Sequence, residues 1–122
     1  MVEWSFIDSL AAELQGCKII ELDPQEPKSK REWCINGKAI AWERPLSQKD
    51  MKALGEKAPS GRVLAVHMPD MITRNAWLET VSRICFVSQH FIGYPAVLLD
   101  LELADEQLVR EVFADGVLAA LA

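Results

Sequence analysis

The sequence predicts an α+β domain: a two-layer sandwich in which helices cover one face of a mainly antiparallel sheet. Three observations carry this. Residues 30–43 hold two strand-like runs around Asn36-Gly37. Two near-continuous apolar runs, ICFVS and AVLLDLEL, follow later in the chain. Between and around these lie segments whose apolar residues recur at helical spacing.

Residues 5–15 read as the first helix, with Ile7, Leu10, Ala11 and Leu14 on one face. Ser5 and Asp8 have the spacing of a capping box, and Gly16 suits a left-handed helix end. CKIIEL, residues 17–22, reads as a strand. Asn36-Gly37 suits a two-residue turn in which both central residues take positive φ. Tight pairing sets Ile35 opposite Lys38, Trp33 opposite Ile40 and Arg31 opposite Trp42, an aromatic and apolar face for the core. Arg31 over Trp42 is then a cation–π pair. Lys30, Glu32, Cys34, Ala39, Ala41 and Glu43 face solvent.

Pro45 stops the strand. A short helix runs from Ser47 to Leu54, with Ser47 as cap, Asp50 three residues on, Leu46 and Met51 at the staple positions, and Gly55 at the end. RVLAVHM is a strand. A helix from about Met71 to Val81 is capped by Asp70 or Thr73. ICFVS and AVLLDLEL are strands that belong in the sheet centre or under helices. The last helix, Asp105 to about Leu121, buries Leu108, Val109, Val112, Phe113, Val117 and Leu121, and Gly116 weakens it relative to alanine.

Composition narrows the function classes. At 122 residues the chain has the size of one domain. No apolar run has the length of a membrane span, and MVEWSFIDSL lacks the pattern of a secretion signal, so no membrane partner is expected. Cys17, Cys34 and Cys85 are odd in number and lack CxxC spacing, which fits a reducing cytoplasm. Charge is unevenly placed. Residues 1–27 and 100–122 each carry six acids and one base, whereas residues 28–62 carry nine bases and four acids. The middle third is the candidate anion-binding surface, with a solvated face of mixed charge as the ordinary alternative.

No catalytic or metal motif stands out, and no cofactor is implied. Ser88 and His90 are i, i+2 neighbours without a nucleophile elbow. His67, His90 and Cys85 lack a compelling ligand spacing. Asp100 and Glu102 read as a solvated edge. The four tryptophans, Trp4, Trp33, Trp42 and Trp77, offer stacking surfaces, with core packing expected for at least two. SQHFIGYPAV reads as a corner. In it Gly93 permits positive φ, Pro95 opens a strand, and Phe91 and Tyr94 bury their rings while the Tyr94 hydroxyl stays wet.

GKAIAWERPL, KDMKALG, VLAVHMPD and FVSQHFIGYPAVLL together resemble the MmcQ/YjbR family, in particular its actinobacterial-type members. The resemblance spans Asn36 to residue 122, and WERPL and HFxGYPAVL are its most specific phrases. It implies a fold similar to secretion chaperones and to a double-wing module, ordered α-β3-α-β2-α, with residues 45–62 inserted. It carries over Trp42, Glu43, Arg44, Pro45, His90, Phe91, Gly93, Tyr94 and Pro95 as a structural or binding-surface signature, and no catalytic residues. The chain departs from the family at three points. It lacks an Asn-Lys-x-His-Trp phrase, it has Ile92 where relatives are often acidic, and it ends ADGVLAALA rather than in a basic tail.

Members of the family are commonly labelled DNA-binding, so the first expectation is a non-enzymatic module that binds DNA weakly and without sequence preference. Lys28, Lys30, Arg31, Lys38, Arg44, Lys49 and Lys52 would meet the phosphates. The second is a protein-interaction module, chaperone-like or homodimeric. A small-molecule enzyme ranks behind both.

Overall fold

The computed structural model describes residues 1–22 and 30–122. Helices α1 (Trp4–Ala12), α2 (Gln48–Leu54), α3 (Met71–Thr80) and α4 (Glu106–Leu121) accompany strands β1 (Cys17–Leu22), β2 (Lys30–Ile35), β3 (Lys38–Glu43), β4 (Val63–His67), β5 (Cys85–Phe86) and β6 (Ala96–Asp100). The six strands form one antiparallel sheet in the order β1-β2-β3-β4-β6-β5. The α+β class is as the sequence predicts. Four strands precede α3, as the reading of the individual elements gives, rather than the three of the α-β3-α-β2-α order that the resemblance implies.

The β2–β3 turn forms at Asn36 (φ 52°) and Gly37 (φ 77°). Ile35 lies opposite Lys38 as expected, but the rest of the register differs. Cys34 pairs with Ala39 and Trp33 with Ala41, so Ile40 is an extra residue, a β-bulge. Ile40 and Ala41 both join the main core. The bulge shifts everything after it. Trp42 pairs with Glu32 rather than Arg31 and packs with Val63, Ala65 and Leu98 on the opposite face of the sheet. The solvent face expected for the hairpin is corrected accordingly, since Ala41 is fully buried and Cys34 nearly so.

Arg31 lies on the core side, where Asp8 (3.0 Å) and Glu43 (2.9 Å) pair with it and its Cζ stands 6.0 Å from the Trp4 ring. Its cation–π partner is therefore Trp4, not Trp42. Trp33 donates its Nε1–H to the same Asp8 carboxylate at 3.0 Å. That contact explains why Asp8 forms no capping box: the N-cap of α1 is Glu3, with no side-chain bond.

Helices α1, α3 and α4 supply the main core against one sheet face through Ile7, Leu10, Trp77, Val109, Val112 and Phe113. On α4 the buried face includes Gly116 and Ala120, whereas Leu121 is exposed. Gly116 has a packing reason. A Cβ there would lie 2.8 Å from Val66 Cγ1 and 2.9 Å from both Ile40 Cγ2 and the Ile40 carbonyl oxygen. The helix gives up propensity so that it can approach the sheet closely.

Caps follow the sequence elsewhere. Ser47 and Asp50 form a reciprocal capping box on α2, Asp70 caps α3 and Asp105 caps α4. The Ser47 cap is worth about 1 kcal/mol. Met51 is exposed, so the expected staple buries little. AVLLDLEL is strand only to Asp100, whose buried carboxylate accepts the Glu102 N–H at 3.0 Å and turns the chain. Asp100 is thus not a solvated edge, and Glu102 pairs with Arg62. ICFVS contributes two residues at the sheet edge, in contact with α3, rather than a central strand.

Candidate functional site

The site lies on the sheet face opposite α1 and α4, where the bulge has sent Trp42. His67, the last residue of β4, tilts against the Trp42 ring at 4.6 Å between centroids. Its Nδ1 is 2.7 Å from the Ala39 carbonyl oxygen, and its Nε2 is 2.7 Å from the Tyr94 hydroxyl. A carbonyl only accepts, so Nδ1 carries the proton. In the neutral ring Nε2 then accepts the Tyr94 O–H. Phe91 closes the cluster, 6.2 Å from Trp42 and 5.9 Å from Tyr94. Arg44 lies with its Cζ 5.7 Å from the Phe91 ring centroid. The Tyr94 hydroxyl is at the surface as expected and also bonds His67, but Tyr94 itself is exposed rather than burying its ring.

Phe91 and Tyr94 are held in place from below. Gln89–Phe91 is one 3-10 turn, and the Phe91 and Tyr94 amides continue it by donating to the Ser88 and Phe91 carbonyls. Arg74 of α3, 7% exposed, points its Nη1 at three carbonyl oxygens of this loop: Phe91 at 2.7 Å, Ile92 at 2.8 Å and Tyr94 at 3.3 Å. Its Nε and Nη2 donate to Asn75 Oδ1. No carboxylate pairs with it among the described residues, so hydrogen bonds alone compensate this buried cation. Sequence reading missed Arg74. The available signal was an arginine on the inward face of α3, three residues before Trp77.

Gly93 does not take positive φ, contrary to expectation. Among the described residues, positive φ occurs at Asn36, Gly16, Gly37 and Gly55. The corner is instead made by the 3-10 turn and by Pro95, whose carbonyl accepts the Met68 N–H at 2.8 Å just before β6. His90 is exposed and outside the aromatic cluster. Glu43 points to the core side toward Arg31, and Pro45 is exposed at the strand end.

The basic residues do not all gather here. Lys28 lies outside the described residues. Arg31 is engaged by two carboxylates on the core side. Lys38, at the hairpin turn, donates to the Ala122 carbonyl at 3.0 Å. It sits roughly 17 Å along the strand from Lys30 at the open end, at about 3.3 Å per residue. Arg44, Lys49 and Lys52 follow the end of β3, with both lysines exposed. Arg44 also donates to the Pro45 carbonyl at 2.8 Å and lies 3.6 Å from Asp50.

Two of the cysteines, Cys34 and Cys85, are buried thiols. Burial pushes the Cys85 thiol up to about 12, and burial together with the Glu32 carboxylate does the same to Cys34. Neither offers a thiolate at neutral pH. No cluster of three or more His, Cys, Asp or Glu side chains suited to a metal occurs among the described residues. No helix among them is long and apolar enough to cross a membrane.

The chain is similar to an uncharacterised protein of Mycobacterium tuberculosis, with 34% identity over 93 residues that cover 70% of this chain and 72% of that protein. The same figures hold for an uncharacterised protein of Mycobacterium bovis. No family model matches the chain. No solved structure matches it. At that identity and coverage the chain belongs to the family of these mycobacterial proteins.

Proposed function

We propose that the protein is a non-enzymatic, MmcQ/YjbR-like cytoplasmic module that binds DNA weakly through the Trp42–His67–Phe91–Tyr94 surface. One observation carries this reading. WERP and HFIGYP, about fifty residues apart in the chain, meet in space as one aromatic cluster beside Arg44. Aromatic faces stack on bases and cations meet phosphates, which is the usual division of labour on nucleic acid. Tyr94 and Arg44 would make the contacts, with Lys49 and Lys52 on the flanking helix. Arg31 would not, since it lies on the other face of the sheet between Asp8 and Glu43. The test is fluorescence anisotropy of single-stranded and duplex DNA at about 50 and about 200 mM salt. Affinity should fall steeply with salt, with a log–log slope of about −0.9 per phosphate on duplex. Lys49→Glu with Lys52→Glu should flatten that slope, and Tyr94→Ala should weaken binding to single strands. Absence of binding at the lower salt rejects the reading.

A second reading, a homodimer, rests on a different feature. Strand β1 is one edge of the sheet, unpaired on its outer side among the described residues, and Ile19 (46%) and Ile20 (44%) are exposed on its two faces. An edge with unpaired backbone groups and apolar side chains is a template for another strand. Light scattering after size exclusion should then give a dimer that Ile20→Lys converts to monomer. A wild-type monomer removes this reading.

A further inference from the structure

A pocket of 230 Å³ opens between α2 and the loop before the aromatic cluster. Ala53, Leu54, Val87 and Ile92 give it apolar walls, and Asp50 and Ser88 give it polar ones. Ser88 is 3% exposed, and its Oγ has no hydrogen-bond partner among the described residues. A buried hydroxyl without a partner is costly, and native proteins rarely keep one without a use. Asp50 is 5% exposed. Its Oδ2 accepts the Ser47 N–H at 3.2 Å and lies 3.6 Å from Arg44. Among the described residues no basic side chain lines the pocket, and Arg44 meets the Asp50 carboxylate from outside it.

These features define a ligand. The Asp50 carboxylate and the unpartnered Ser88 Oγ call for a donor-rich polar head. The carboxylate favours a positive one, and the walls call for an apolar body. A pocket of this size takes a small ligand. We propose that this pocket binds a small primary ammonium compound, with its head between Asp50 and Ser88 and its body against Leu54, Val87 and Ile92.

The state of Asp50 agrees with this. Burial opposes its charge, but the Ser47 amide and hydroxyl outweigh that, with help from Arg44 and His90 nearby, and hold the carboxyl below its ordinary value. It is therefore ionised at neutral pH.

The test uses three probes of one size, benzylammonium, benzyl alcohol and benzoate, titrated into the 15N-labelled protein. Benzylammonium should shift the amides of residues 53–54 and 87–92 saturably, with a dissociation constant on the order of 1 mM, ordinary for so few atoms. Benzoate should bind at least about tenfold more weakly, because Asp50 repels it. Ser88→Ala should weaken benzylammonium about fivefold, the loss of one hydrogen bond, without lowering protein stability, since the hydroxyl had no protein partner to lose. Ala53→Phe, at an exposed position of α2, should fill the pocket and abolish the shifts. Equal binding of all three probes, no saturable shift, or full binding by Ala53→Phe would each overturn the proposal. None of these outcomes depends on whether the protein binds DNA.

Discussion

Gly116→Ala should lower the stability of the protein by about 2 kcal/mol, although alanine is the better helix former. Propensity alone predicts a gain of about 1 kcal/mol. Overpacking a well-filled core costs about 1–3 kcal/mol. The upper end applies, because one of the three atoms within 2.9 Å of the added carbon is the Ile40 backbone oxygen, which cannot rotate away. The other two belong to β-branched side chains with little rotamer freedom, Val66 and Ile40. Relief requires α4 to lift from β3 and β4, and that loosens Val112 and Phe113 as well. Gly116→Val should cost roughly twice as much. Urea denaturation of the two variants checks this, and an alanine variant as stable as the parent refutes it.

Arg74→Met should cost about 3 kcal/mol and act chiefly on one loop. Methionine fills a similar space but donates nothing, so the Phe91, Ile92 and Tyr94 carbonyls lose a shared charged donor. Hydrogen bonds to a charged group are worth about 1.5–3 kcal/mol. These carbonyls lie in an otherwise exposed loop, so water recovers part of the loss. Amide exchange should therefore accelerate at residues 89–94 far more than in α4. Arg74→Lys should fall between the two, because a point charge cannot span three carbonyls and Asn75 as the guanidinium fork does. The variant should also lose the DNA affinity proposed for Phe91 and Tyr94. A stability change under about 0.5 kcal/mol, the range of an ordinary surface substitution, would show that Arg74 clamps nothing.

Elements were legible in the sequence wherever local chemistry dictates them. Asn36-Gly37, the Ser47 and Asp50 pair, Asp70 and Asp105 all do what their types favour within three or four residues of chain. Two local expectations failed, the Ser5–Asp8 cap and the Gly93 conformation, and the larger errors were long-range. The bulge at Ile40 depends on how β3 meets α4 and β4, and nothing in KAIAWE announces it. Once Trp42 had been assigned to the wrong face, its pairing with Arg31 followed falsely. The resemblance to MmcQ/YjbR selected residues that do converge, Trp42, Arg44, Phe91 and Tyr94. It also selected His90, which does not join them, spanned His67 within VLAVHMPD without singling it out, and passed over Arg74. Both act by hydrogen bonds across the fold, which spacing along a chain does not reveal.

The extra residue in β3 also bears on how substitutions and relatives are compared. A strand keeps time in steps of two. Ile40 inserts a half-beat, so positions before and after it run in opposite phase. A homologue one residue shorter here would keep the letters WERP yet point its tryptophan inward and its glutamate outward. Deleting Ile40 should therefore be far more disruptive than replacing it, and an alignment gap at this position would mark the boundary between two different surfaces that share one motif.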